Sequence, residues 1–537
     1  MKPSWIGGWR GSVLAALAAV VCALPGLIIL PTVDRNEAVF AQGTAQMLDE
    51  HNPTEIRFQE RVRPGSMPAA HWLQAVSVVT LSSPETRAIW AYRLPSLLGL
   101  VILVIAAVKG GGRLFGPKAG LASGLAMAVS LLGATLADLA TADALFAAAA
   151  AVMLAAFAYL YAAHREGGRL RKRDKIIFWA GLIAAFLIKG PLIIGLAGLT
   201  GLSLALWDRR LRWMSSLGWG WGLIALGAVA GPWLMAVTVS TDGQFWQGAP
   251  SLIRGGGWGL QSALTPILLF PFALLLPFAI ACAWRERTTP GVRVALAWLV
   301  PGWIVLEILP GFQLHGAASL YITIVWLGCA GLFSDRQAAG VRLAGAGLSL
   351  LSAAIVVVAA IMLAWRFGGG GAWVPATLVV ATAVIAGMAG AAASWRPGRT
   401  RPIILTFVAG GLAIALLLGG ALPAAHALWP TQYLLRGLSQ AGLDPRAGLA
   451  RGPVASSGFE EPSLVFQLGS DTQLGDAATV VDTLLDNRPA IVSADQLAAA
   501  IQLLQARGRT ARIVYHFQGF DPAEARPVSL YILRGAP

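Results

Sequence analysis

From residue 12 onward the sequence keeps returning to apolar stretches: 12–31, 88–108, 119–137, 139–162, 176–189, 191–207, 215–236, 263–283, 294–309, 316–333, 343–364, 373–393 and 403–426. A backbone that crosses lipid must satisfy its N–H and C=O groups internally, and a helix of about 20 apolar residues does so across a bilayer. The pattern predicts about 13 transmembrane helices in a polytopic, mainly α protein. Composition agrees, with 56% hydrophobic and 12% charged residues in a chain of 537. The first run follows Arg10 and ends at LIILPTVDR without a small-residue cleavage pattern, so it is read as a membrane helix and not as a removable signal.

The net charge of +14 does not point to nucleic acid. Much of the Lys and Arg lies in KGGGRLFGPK, HREGGRLRKRDK, DRRLR, WRERTTPGVR, SDRQAAGVR and SWRPGRTR, all short segments between apolar runs, where positive charge fixes orientation against the cytoplasmic leaflet. A cytoplasmic N-terminus follows, with 32–87, 237–262, 310–315 and everything after 427 outside the cytoplasm. Cys22, Cys282 and Cys329 sit inside apolar runs without metal-ligand spacing, so neither a disulfide framework nor a thiolate metal site is indicated.

Two regions break the membrane pattern. Loop 32–87 carries helical spacing over 34–50, and AAHWLQAVSVVT at 69–80 reads as a helix lying in the membrane interface. Residues 430–537 read as a small α/β extramembrane domain appended to a membrane domain of residues 1–429. LVFQL (464–468), PAIVS (489–493), ARIVYHF (511–517) and PVSLYIL (527–533) are its expected strands, and DQLAAAIQLLQARG its expected helix.

Charge in so apolar a chain needs a reason. Asp34, Arg35 and Glu37 follow the first span, with the two carboxylates three residues apart and so on one helical face. Such a pair serves as a base for an acceptor, as a divalent-cation site or as a bridge to cations; capping the first turn of the following helix is an equally good reading of Asp34. Asp143 in TADALF starts another apolar span, Lys189 in FLIKGPLII lies between two spans, and His315 in ILPGFQLHG reaches the same side. Ionisable groups converging on one membrane face suit a cavity for an anionic lipid headgroup. Each also has a structural reading: Asp143 orienting a helix, Lys189 snorkelling to the interface, His315 facing water.

LPTVDRNEAVFAQG, HWLQAVSV, YRLPSLLG, TADALF, KGP, EILP and GFEEPSLVFQLG together resemble the GT-C membrane glycosyltransferases, specifically the ArnT-like group related to protein O-mannosyltransferases. The resemblance implies a helical GT-C fold and transfer of a sugar from a polyprenyl-phosphate donor to lipid A, another glycolipid or a different envelope acceptor at the periplasmic face. It makes Asp34 the acidic group beside the reacting centre, Glu37 its companion, and Arg35 or Lys189 the cations on the donor phosphate. The chain departs from the family pattern in places. A Lys-Pro pair before the HWLQ helix is replaced by RVRPGSMPAAHWLQ, leaving Arg61 and Arg63 upstream; PGFQLHGAASLYI keeps His315 but lacks the usual lysine; and QFWQGAPSLIRGGGWG offers Arg254 as a substitute charge. No cofactor is implied beyond a divalent cation as one option, and the expected partners are the lipid-linked donor, a lipid or glycan acceptor and membrane lipids. The rival readings are a catalytically impaired paralogue acting as a membrane partner and a lipid-linked sugar transporter.

Overall fold

The structure is a computed structural model that describes residues 8–209, 212–215, 217–247, 259–308, 317–334 and 337–536. Its first helix, α1 (Trp9–Ile29), shows how the bundle is sorted. Ala15, Ala19 and Ala23 are fully buried, whereas Leu17, Val21 and Ile28 on the other side are largely exposed. An exposed apolar face of that extent belongs in lipid, and the small residues opposite let neighbouring helices approach closely.

The chain then forms α2 (Asn36–Asp49), a short hairpin of β1 (Arg57–Phe58) and β2 (Arg61–Val62), and α3 (Pro68–Leu81). On α3, His71, Gln74 and Val78 are buried while Leu73, Val76 and Val79 are exposed, as the expected interfacial helix requires. The bundle continues with α4 (Ile89–Phe115), α5 (Pro117–Ala128), α6 (Leu131–Ala137), α7 (Asp143–Arg165), α8 (Lys172–Lys189), α9 (Leu192–Asp208) and the single turn α10 (Arg212–Ser215). After these come α11 (Trp219–Ser240), α12 (Leu260–Leu268), α13 (Leu275–Arg285), α14 (Pro290–Ile308), α15 (Ala318–Leu332), α16 (Ala339–Met362), α17 (Trp373–Trp395) and α18 (Thr400–Leu416).

The expected count of 13 full spans is not what the helices give. Among the described residues eight helices are long and apolar enough to cross a bilayer, or nine when the bent pair α5 and α6 counts as one. The run 119–137 turns by 56° between those two helices, and Ser130 caps α6 by accepting from the Gly133 N–H at 3.0 Å. The run 263–283 breaks between α12 and α13 at Pro271, which has no N–H to continue a helix. Phe270 O accepts instead from the Leu131 N–H at 2.9 Å, so the two breaks brace each other. α9, α13 and α15 are shorter apolar helices, and α8 starts with four charged residues, Lys172 to Lys175.

From Pro430 the chain builds α19 (Pro430–Gln440), β3 (Ala455–Ser457), α20 (Pro462–Leu468), β4 (Gln473–Gly475), α21 (Ala477–Leu485), β5 (Ala490–Ser493), α22 (Ala494–Ala506), β6 (Thr510–Asp521) and β7 (Arg526–Ala536). The sheet order is β4-β3-β5-β7-β6. β3 runs parallel to β4 and β5, while β7 is antiparallel to β5 and β6. Ile491 and Ile532 face a core with Leu434, Leu438 and Leu464, whereas their successors Val492 and Leu533 face a second core with Val480, Leu484 and Leu504. That is the period-two alternation of a sheet covered on both sides.

One expected strand is a helix. LVFQL lies in α20, where Pro462 pre-sets the first helical residue and Leu464, Val465, Phe466 and Leu468 are all buried. Four apolar residues in a run of five fit either element, and here packing against α2 and the edge of Tyr92, 5.2 Å from the Phe466 ring, selects the helix.

Candidate functional site

Glu37 points into the protein. It is fully buried on the first turn of α2, and its Oε1 accepts from Arg93 Nε and Ala140 N–H, both at 2.7 Å. Its Oε2 accepts from Arg93 Nη2 and Val33 N–H, both at 2.8 Å. Arg93, also fully buried, donates further to the carbonyls of Leu27, Leu30 and Pro31, at 3.2, 2.6 and 2.9 Å. Those carbonyls end α1 and would otherwise lack partners. The pair thus joins α1, α2, α4 and the segment before α7. Both oxygens of Glu37, expected as a catalytic companion, are thus doubly engaged within the protein. Arg93 was the missed partner, and its signal was an arginine inside the apolar run YRLPSLLG, where an unpaired cation would be costly.

Asp34 does cap a helix, but in the terminal domain and not at α2. Its Oδ1 accepts from the Ser463 N–H at 2.7 Å and its Oδ2 from Ser463 Oγ at 2.6 Å, closing the first turn of α20. Burial raises its pKa to about 7; Ser463 opposes the rise and the carboxylates of Glu461 and Asp521 add to it. Arg35, expected on donor phosphate, instead meets Glu461 at 2.9 Å and Glu524 at 3.0 Å. Gln42 and Gln59 extend the seam by donating to Ser470 Oγ (2.8 Å) and Thr472 O (2.7 Å). Asp34 also borders a cavity of about 480 Å³ between the end of α1 and the terminal domain, lined by Ile29, Thr32, Ile89, Trp429, Thr431 and Gln467 among others.

A second polar group forms where α7 begins and α8 ends. Lys189 pairs with Asp143, and its ammonium stands 5.6 Å from the centre of the Phe146 ring. Asp143 is buried, while Lys189 keeps part of its side chain exposed. Met67 packs beside Gly190, bringing the segment after Arg63 to this place. Arg63 Nη1 reaches the Val39 carbonyl of α2 at 3.4 Å, and burial lowers its pKa to about 10, which leaves it cationic at neutral pH. His71, stacked on Phe40 at 3.9 Å and bonded to Thr44 Oγ1 at 2.7 Å, is held neutral first by burial and then by the Arg63 charge. Arg61 is exposed on β2. Arg254 and His315 lie outside the described residues. Lys189 and Asp143 are therefore brought together and Arg63 is carried to α2, whereas Asp34 and Arg35 bind the terminal domain. Among the described residues, no group of three His, Cys, Asp or Glu could hold a metal ion.

Comparison with solved structures decides the fold. The crystal structure of ArnT from Cupriavidus metallidurans bound to undecaprenyl phosphate superposes with a TM-score of 0.76, covering 99% of this chain and 98% of that one at 18% identity. The chain has the GT-C fold of ArnT-like glycosyltransferases. The apo crystal structure of the same protein gives a TM-score of 0.74 over 97% of each chain, again at 18% identity. Residues 63–235 match the dolichyl-phosphate-mannose-protein mannosyltransferase family. The undecaprenyl phosphate-alpha-4-amino-4-deoxy-L-arabinose arabinosyl transferase of Pseudomonas paraeruginosa is 30% identical over 214 residues, a match spanning 35% of this chain and 37% of that relative. Within this ArnT-like fold, the matched family segment runs from Arg63 through Asp143 and Lys189.

Proposed function

We propose that the protein is a polyprenyl-phosphate-dependent glycosyltransferase of the bacterial inner membrane, moving a sugar to lipid A, a glycolipid or another envelope acceptor. The observation that carries this reading is Lys189, mostly buried and held by buried Asp143 beside the Arg63–Met67 segment in an ArnT-like bundle. In transfer, the donor's C1–O bond breaks, its electron pair goes to the phosphate oxygen, and the acceptor oxygen forms the new bond to C1. Lys189 and Arg63 would hold the phosphate as negative charge grows on it, with Arg254 a further candidate. A hydroxyl acceptor must lose a proton, and Asp34, with a pKa near 7, is suited to take it; a phosphate acceptor needs no base. The basic loops support a cytoplasmic N-terminus and a periplasmic terminal domain.

One observation favours the second reading, a catalytically impaired membrane partner: both oxygens of Asp34 are engaged by Ser463. Mass spectrometry of envelope lipids and glycans with and without the gene, followed by transfer from undecaprenyl-phosphate sugars in lipid, separates the two. Loss of a sugar increment together with turnover by purified protein supports the enzyme. An unchanged envelope and no turnover from any such donor support the partner.

A further inference from the structure

Away from this site, on the basic-loop face, α4, α7 and α8 part to leave a groove of about 690 Å³. Its walls follow single helix faces: Ile102, Ile105, Ala106, Lys109, Gly112 and Arg113 on α4, and Val152, Ala155, Ala156 and Tyr159 on α7. On α7 these are the i, i+3, i+4 and i+7 positions, and on α4 the same pattern with Val108 beside it. Small side chains at 106, 112, 155 and 156 create the depth.

The groove is apolar along its length and cationic at its end. Lys109, Arg113, Arg171 and Arg173 surround the opening, with Asp174 as the acidic group among its lining residues. Arg113 lies over the Tyr159 ring at 3.9 Å and reaches Asp174 through Nη1 at 3.5 Å, which fixes the guanidinium at the groove. Arg171 is the residue before the first turn of α8, whose N–H groups also favour an anion. From Ile102 to Arg113 the helix rises roughly 16 Å, close to one leaflet of a hydrocarbon core about 30 Å thick. A polyprenyl tail overruns that length; an acyl chain does not.

We propose that this groove binds one anionic diacyl phospholipid, its acyl chain along α4 and α7 and its headgroup phosphate among Arg113, Arg171 and Arg173. The site is independent of sugar transfer and holds the basic-loop ends of α4, α7 and α8 to a common lipid.

The test uses the full-length protein in detergent, exchanged with phosphatidylglycerol or with phosphatidylcholine of the same chains, and reads bound lipid by native mass spectrometry. The unaltered protein should retain phosphatidylglycerol in preference to phosphatidylcholine. Arg171→Ala with Arg173→Ala, both at exposed positions, should weaken that retention about thirtyfold, equivalent to ~1 kcal/mol per cation near an anionic surface. Arg399→Ala with Arg401→Ala removes the same charge from another exposed basic segment and should change retention less than twofold. Arg113→Ala removes one cation and should weaken retention about fivefold. Equal losses from both pairs would reduce the effect to diffuse surface attraction, and equal or preferential retention of phosphatidylcholine would overturn the assignment. Transfer activity is not read, so failure here leaves the proposed enzyme unaffected.

Discussion

Replacing Glu37 by Gln keeps the shape of the side chain and removes its charge, so it asks whether this residue holds the fold or takes part in chemistry. Each carboxylate oxygen accepts from one Arg93 nitrogen and one backbone N–H. In either orientation of the glutamine amide, its NH2 group must face one of those donor pairs, leaving two buried donors without an acceptor. Each orphaned donor costs about 1–3 kcal/mol. Arg93 also loses the counter-charge of a fully buried pair, and breaking such a pair from one side costs roughly 3–5 kcal/mol. The expected loss for Glu37→Gln is therefore about 3–5 kcal/mol, a large part of the ~5–15 kcal/mol typical of a folded protein. Denaturant and thermal unfolding of purified protein in mild detergent, followed by tryptophan fluorescence, would measure it. Glu37→Leu combined with Arg93→Met should cost less than the sum of the single changes, because neither charge is then stranded. The reasoning is refuted if Glu37→Gln loses under ~1 kcal/mol while abolishing transfer, since that outcome belongs to a reacting group.

Three further outcomes are expected. Asp34 binds its proton more tightly folded, near pH 7, than at its ordinary value of 3.8, so its contribution to stability falls as pH rises between those limits and is flat above them; Asp34→Asn should remove that slope from melting temperatures measured across pH 5 to 8, and an identical slope would refute it. Lys189→Ala should lower transfer at least tenfold by weakening the donor's phosphate contact, with Lys189→Arg restoring part of it; unchanged donor binding and turnover in both would leave Lys189 as a structural partner of Asp143. Arg63→Ala should reduce transfer more than Arg61→Ala, because Arg63 is held against α2 while Arg61 stands in solvent, and the reverse order in a reconstituted assay would defeat this placement.

The membrane character of the chain, the helical state of its apolar runs, the two-faced α3 helix and the later strands were legible from residue order, because burial in lipid or in a sheet imposes periods that a local pattern carries. Glu37 shows where that stops. Its spacing from Asp34 predicted two carboxylates on one face, yet the two diverge, one into Arg93 56 residues away and the other onto Ser463 429 residues away. The same holds for LVFQL, whose helical state follows from what covers it. A carboxylate in an apolar chain announces that it needs partners, but which partner it finds depends on Coulomb and hydrogen-bond contacts a few ångströms long. Those contacts exist only after distant segments have packed, so the need was written in the sequence and its satisfaction was decided by the tertiary structure.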